Sequence, residues 1–253
     1  MKWMFLSIPV FLTLCTLSTV QAEEILLSAG SGPLVSVIKP LKDAFEKETG
    51  IKMNNLFGSS PFAFKQLYNG VTETAVVGIS FDEILEILKN EGFKVENPGD
   101  FRSVTIGRGM VRTVVNKGNP VAKLSREQLK GIFTGKITNW KEVGGNDSPI
   151  MVVLSPRNPG VTETFRKNIL ENEPYTREFL ELTHMDELRG AVEVNAEAIT
   201  IGTSAVLSNG VKQVATPDVF RPITLITKGE PAPKIRKFID FVLKGAGKGL
   251  VKE

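Results

Sequence analysis

Apolar and polar positions along this chain switch between short apolar runs and a spacing of three and four, the signatures of strands and helices. "EILLSA" after Glu23 reads as a strand. From Pro33 to Glu48 the apolar residues Leu34, Val37, Ile38, Leu41, Ala44 and Phe45 make one helical stripe, with Gly50 as its stop. "IKMNNLF" is a second strand, "GSSPFAFKQLYNG" a short helix behind small residues, and "TAVVGIS" a third strand. "FDEILEILKNEG" is an amphipathic helix closing on Gly92. Strand and helix alternate, which predicts a parallel sheet with helices on both faces.

The pattern then continues more loosely. "GMVRTVVNKGNPV" reads as strand and turn, and "SREQLKGIFTG" as a helix. There Ser125 is the N-cap and Gln128 stands at the capping-box spacing. "SPIMVVLS" and "AITIGTSAVL" read as strands, with "RNPGVTETFRKNIL" and "MDELRGAVEVN" entering helices between them. "RPITLITKG" is a last strand and "APKIRKFIDFVLKG" a last helix with Pro233 in its first turn. "FAFKQLYNGVTETAVVGIS" and "MDELRGAVEVNAEAITIGTSAV" echo each other faintly. Two similar lobes would explain the echo, and so would the general likeness of helix–strand units.

Composition narrows the function classes. The 253 residues carry 42% apolar and 23% charged positions, an ordinary soluble balance for one large domain or two small lobes. Thirty-one basic against 28 acidic residues give a net charge of +3 without a basic block, so nucleic-acid binding is not suggested. The start, "MKWMFLSIPVFLTLCTLSTVQA", has Lys2, an apolar middle and a small-residue exit, the pattern of a secretory signal cleaved near Ala22. A membrane anchor is the competing reading, weakened by Ser18, Thr19 and Gln21. Lipidation at Cys15 is weaker still, because Leu14 precedes it. Cys15 is the only cysteine, so a processed chain would have no disulfide, cysteine nucleophile or thiolate metal site.

Three loops share one design: "AGSGPL" (29–34), "GSSPF" (58–62) and "RNPGVTETF" (157–165). Each follows a strand, carries Gly with Ser or Thr, and runs into a helix. Helix N-termini offer unpaired N–H groups and partial positive charge, Gly admits close approach, and hydroxyls add donors. That inventory suits an oxyanion. Taken alone, each loop is equally an ordinary turn and cap, with Ser then Pro at 60–61 fitting N-cap and N1. Arg157 is more pointed, since beside Gly160 and Thr162 it could fork onto an oxyanion or stay solvated.

"LSREQLKGIFTGKITNWKEVGG" (124–145), preceded by "VRTVVNKGNPV", resembles the signature of phosphate ABC-transporter substrate-binding proteins of the PstS-like periplasmic-binding-protein family. "GSGPLVSVIKPLKDAFEKETGIK", "GSSPFAFKQL" and "KFIDFVLKGAGKGLVKE" are similar to other parts of it, so the resemblance covers the chain after the signal. It implies a type II, two-lobed α/β fold with mixed sheets, helices on both faces and a two-strand hinge. Lobe 1 would be residues 23–107 plus 220–253, and lobe 2 residues 108–219. It implies capture of phosphate or a related oxyanion and delivery to an ABC transporter permease by a monomer without cofactor or metal. The implied contacts are Ser31, Gly32 and Pro33 from the first loop and Ser59 and Ser60 from the second. Ser80 after the third strand and Arg157, Gly160 and Thr162 of lobe 2 complete the set. Two departures stand out. The "RNPGVTETF" loop lacks the full Gly-Ser-Gly-Thr, and Phe81 stands where phosphate binders of the family place an Asp, with Asp82 next. The second opens the ligand to sulfate, molybdate or another oxyanion, and the role to sensing.

Other residues offer less chemistry. His184 is the sole histidine and has no second His or Ser-His-Asp spacing, so a helix-end or surface role is expected. Asp82 and Glu83 open a helix, where acids favour the dipole. Trp140 reads as a structural plug of lobe 2, while Arg108 and Arg112 either line a cleft or brace a hinge. A stand-alone sensory or accessory protein of the same fold is the first rival reading. A secreted phosphoester hydrolase, which would need a nucleophile with a base or a metal cluster, is the second.

Overall fold

The computed structural model describes residues 23–156, 158–245 and 247. The expected signal over residues 1–22, and Arg157, lie outside the described residues.

Ten strands occur among the described residues. In chain order they are β1 (Glu24–Gly30), β2 (Lys52–Gly58), β3 (Thr74–Val77), β4 (Phe101–Met110), β5 (Arg112–Asn116), β6 (Met151–Leu154), β7 (Leu180–Glu181), β8 (Ala198–Gly202), β9 (Val211–Gln213) and β10 (Phe220–Lys228). They make two five-stranded sheets, ordered β2-β1-β3-β10-β4 and β7-β6-β8-β5-β9. Both sheets are mixed rather than parallel throughout. β1 runs parallel to β2 and β3, but β10 is antiparallel to both β3 and β4. β6 runs parallel to β7 and β8, but β5 is antiparallel to β8 and β9. β4, β7 and β9 carry no clear period and were not expected from the sequence. β3 ends at Val77 and β8 at Gly202, so the serine of each expected Gly-x-Ser end lies beyond its strand.

The first helical run starts at Ser31 and continues to Thr49 as α1 (Ser31–Pro33), a π-helical stretch (Leu34–Ile38) and α2 (Lys39–Thr49). Pro40 explains the wider turn. It has no N–H for the Ser36 carbonyl and its ring would crowd that carbonyl. The chain opens to a π turn just before it, with Lys39 N–H bonding the Leu34 carbonyl. Gly50, at φ 73°, ends the run in the left-handed conformation that favours glycine. The other helices are α3 (Ser60–Tyr68), α4 (Phe81–Asn90), α5 (Arg126–Phe133), α6 (Pro159–Asn168), α7 (Met185–Val194) and α8 (Pro233–Leu243).

The first sheet is covered on both faces, and strand alternation decides which side chain meets which layer. Val76 and Leu225 point to the cluster containing Leu41, Phe45 and Phe238, while Val77 and Ile226 point to the one containing Phe64, Ile84 and Leu88. Phe45 meets Phe238 and Phe241 edge-on at 5.2 and 5.4 Å between centroids. The second sheet has its own core, which includes Trp140, buried and donating its indole N–H to the Glu197 carbonyl at 2.9 Å. Burying one such side chain contributes roughly 1.5–3 kcal/mol. The chain from residue 23 onward contains no cysteine, so packing of this kind holds both lobes.

The backbone changes sheet twice. β4 leads into β5 through Val111, and β9 leads to β10 between Gln213 and Phe220. The two crossings lie side by side: Val111 N–H bonds the Val219 carbonyl at 2.8 Å and Val214 N–H the Thr113 carbonyl at 3.0 Å. Arg108 lies over the Phe220 ring at 4.4 Å, and Arg112 donates to Gln213 Oε1 at 2.9 Å. Both arginines therefore tie one crossing to the other.

Candidate functional site

Parallel strands direct their carboxyl ends to one edge of a sheet, where loops and helix N-termini gather. In the first lobe β1 ends at Gly30, beside the start of α1, and β3 ends at Val77, before the turn Gly78–Ser80. β10 runs the opposite way, so its amino end comes to the same edge. Thr224 pairs with Val77, which places Arg221 beyond the last residue of β3, level with the Gly78 turn. Pro222 is tolerated in this central strand because β3 has already ended there and only β4 pairs with it, at Arg108. In the second lobe, β6 leads to α6 and β8 leads to Thr203.

These segments converge on Arg221. Its side chain is only 3% exposed. One amino group, Nη1, donates to the Gly78 carbonyl at 2.8 Å. Nε has no hydrogen-bond partner. The guanidinium fills space left by missing side chains. A Cβ on Gly78 would stand 1.5 Å from Nη1, one on Gly32 2.1 Å from Nη2, and one on Gly160 3.2 Å from Nη1. Gly160 belongs to lobe 2, and its Cβ would also meet the Gly78 carbonyl at 2.9 Å. Thr203 reaches the same point from lobe 2, its methyl 3.0 Å from a Cβ on Gly32. The lobes thus meet around a cation. Burial pushes the Arg221 pKa down to about 10, and no charged neighbour among the described residues offsets it.

The expected contact residues divide into two groups. Gly32, Ser60 and Gly160 come together. Ser60 is buried and accepts the Gly78 N–H at 3.2 Å, so it flanks the same residue as Arg221. Ser31 and Pro33 adjoin Gly32 in α1. Ser59, Ser80 and Thr162 are engaged locally. Ser59, not Ser60, is the N-cap of α3 and accepts the Phe62 N–H at 3.2 Å, which leaves Ser60 at the first helical position. Ser80 caps α4 and donates its hydroxyl to Glu83 Oε2 at 2.8 Å. Thr162 is buried and its hydroxyl donates to the Asn158 carbonyl at 3.3 Å. His184 is the exposed N-cap residue of α7, its N–H donating to Glu187.

Sequence reasoning missed Arg221. Its only local signal is a charged residue opening an apolar strand, a common and uninformative event. What makes it matter is the antiparallel return of β10, which sets it beside Gly78, 143 positions earlier in the chain.

A second contact joins the lobes nearby. Lys167, near the end of α6, donates to Glu83 Oε1 at 2.9 Å. The other Glu83 oxygen accepts both the N–H and the hydroxyl of Ser80. Burial acts to raise the Glu83 pKa, but the hydrogen bonds from Lys167 and Ser80 outweigh it and hold the carboxyl below its ordinary value.

Comparison with known proteins gives a consistent picture. A family model described as "PBP superfamily domain" matches residues 18–245. The phosphate-binding protein PstS of Bacillus subtilis (strain 168) is 28% identical over 152 residues, which are 60% of this chain and 48% of that protein. The chain thus spans about half the length of the curated relatives it matches. A crystal structure with bound phosphate, of a Clostridium perfringens protein assigned to the phosphate ABC-transporter substrate-binding class, superposes with a TM-score of 0.73 at 24% identity. That match covers 89% of this chain and 96% of the other. An ABC-type phosphate transport receptor from Vibrio cholerae gives 0.62 at 22% identity, covering 90% and 97%. At these identities the two structures speak for the fold.

Proposed function

The chain belongs to the PBP superfamily, and from that premise we propose that it captures a phosphate-like oxyanion between its two lobes and delivers it to an ABC transporter. One observation carries the proposal: a buried guanidinium stands between the lobes with, among the described residues, no hydrogen-bond partner for its Nε and no acid beside it. Taking such a charge out of water costs several kcal/mol unless a counter-charge and hydrogen bonds offset it. The N-terminus of α6 lies against it through Gly160, and the partial positive charge there makes the cost larger. An anion reverses the sign of every one of these interactions. Closure and capture are then one event: the lobes meet readily around Arg221 only when an anion is between them.

The rest of the reading follows from this capture role. The protein acts without chemistry, as a monomer, and needs no cofactor or metal. The signal pattern at residues 1–22 sends it out of the cytoplasm, where it would meet a membrane permease. The names of the similar proteins support phosphate as the first anion to test.

Isothermal titration of the purified protein with inorganic phosphate tests the proposal. Saturable binding is expected, and Arg221→Met should weaken it about 100-fold or more, the cost of losing a buried charge-assisted contact. The same variant should melt no lower than the parent without anion, because an uncompensated buried charge has been removed. Full phosphate affinity in Arg221→Met would sink the reading.

A further inference from the structure

We propose that lobe 2 carries a second ligand site, separate from the cleft, for a small aromatic carboxylate. The site lies at the carboxyl end of β6, between the first turn of α6 and the segment that leads into β7. A cavity of about 310 Å³ opens there, with Leu154, Pro156, Pro174, Tyr175 and Phe179 as its apolar lining. That volume falls at the small end of ligand sites, which run from roughly 300 to 1,000 Å³. Gly32, Gly78 and Arg221 do not line it, and every residue that does belongs to lobe 2. The site is therefore complete in one lobe, whatever the other lobe does.

Its walls are held by bonds that no ligand supplies. Tyr175 donates its hydroxyl to the Thr162 carbonyl at 2.8 Å and meets Phe133 edge-on at 6.2 Å between centroids. Thr176 N–H bonds the Phe133 carbonyl at 2.8 Å, and Leu182 N–H bonds the Leu154 carbonyl at 2.9 Å. A hollow built in advance spares its occupant the cost of ordering it.

The charges around the hollow decide the ligand class. Two charged residues line it, Glu163 and Arg177. Glu163 Oε2 accepts Nε and Nη2 of Arg166 at 3.0 and 2.7 Å, so that carboxylate is already paired. Arg177 is exposed, and none of the ion pairs among the described residues includes it. The neighbouring acid Glu173 is held by Lys130 and Lys136. An apolar hollow with one available guanidinium at its rim suits a ring that carries a single negative group, and guanidinium binds a carboxylate at two points. The Tyr175 and Phe179 rings and the two prolines supply the apolar surface for the ring.

Ligand-observed NMR titration of the purified protein with phenylacetate, and with phenylacetamide as its uncharged counterpart, tests the site. Phenylacetate should bind saturably with a dissociation constant of about 1 mM or below, and the amide about fivefold or more weaker. Added phosphate should not displace phenylacetate. Arg177→Gln should lower phenylacetate affinity to that of the amide while phosphate affinity stays at the parent value. Arg221→Met should keep full phenylacetate affinity, which separates this site from the cleft. No saturable binding, displacement by phosphate, or an unaltered acid-to-amide ratio in Arg177→Gln would each overturn the proposal. Phenylacetate binding in a protein that ignores phosphate would uphold this site and sink only the oxyanion reading.

Discussion

At the scale of single residues, the decisive feature is an absence of side chains. Gly78, Gly32 and Gly160 are separated in the sequence, and only Gly32 and Gly160 were expected at the site, as parts of anion-cradling loops. In the fold they are also the walls of a slot for the Arg221 guanidinium. Gly78→Ala tests the slot. Its new Cβ would fall 1.5 Å from Nη1, the far end of a flexible side chain, so the arginine must move while the backbone can stay. Circular dichroism and melting temperature should remain close to the parent. Phosphate affinity should fall about 30-fold, the loss of one hydrogen bond to a charged group. Unchanged affinity would mean that the Arg221 position is irrelevant to binding. Ser59 and Ser80 were legible as small residues at helix starts. For α3 the cap is one residue earlier than the Ser60–Pro61 pairing suggested, and for α4 Ser80 directly precedes the expected helix and caps it.

At the scale of elements, caps and stripes were the most legible features. The Ser125/Gln128 capping box at the start of α5 forms as its spacing dictates, with Ser125 accepting the Gln128 N–H and Gln128 accepting the Ser125 N–H. Ser125→Ala should destabilise the protein by about 1 kcal/mol in urea unfolding with no effect on anion affinity, since α5 lies away from the cleft. A change in affinity would tie α5 to closure. β4 was not legible because it combines an exposed, polar first half with two glycines. Its strand character comes from pairing with β10 along nine positions. Sequence period reports burial on one face; it says nothing of a strand held by its neighbour's backbone.

At the scale of the whole molecule, Glu83 and Lys167 fasten one lobe to the other beside the site. The pair is partly exposed, so it contributes at most about 1 kcal/mol to the closed form. Glu83→Gln should raise the phosphate dissociation constant a few-fold, mainly through faster release, and the difference from the parent should shrink in high salt. The pH sign is set by direction. The Glu83 carboxyl is held below its ordinary 4.5 in this closed arrangement, so its contribution is complete above that value and is lost as pH falls through the lowered one. Lys167 is raised above 10.5, chiefly by its hydrogen bond to Glu83, and stays charged throughout. The fastening is therefore constant near neutral pH, and stopped-flow release of phosphate should lose its dependence on Glu83 only in strong acid, where the carboxyl takes up a proton. The amino-acid sequence by itself determined the α/β class, most helices with their caps, and the small-residue loops that mark the cleft, because those features depend on neighbours three or four positions away. Only the tertiary structure decided which strands run antiparallel and that Arg221 stands at the centre. These depend on a strand returning antiparallel from the far end of the chain, and no local spacing encodes which residues such a return brings together.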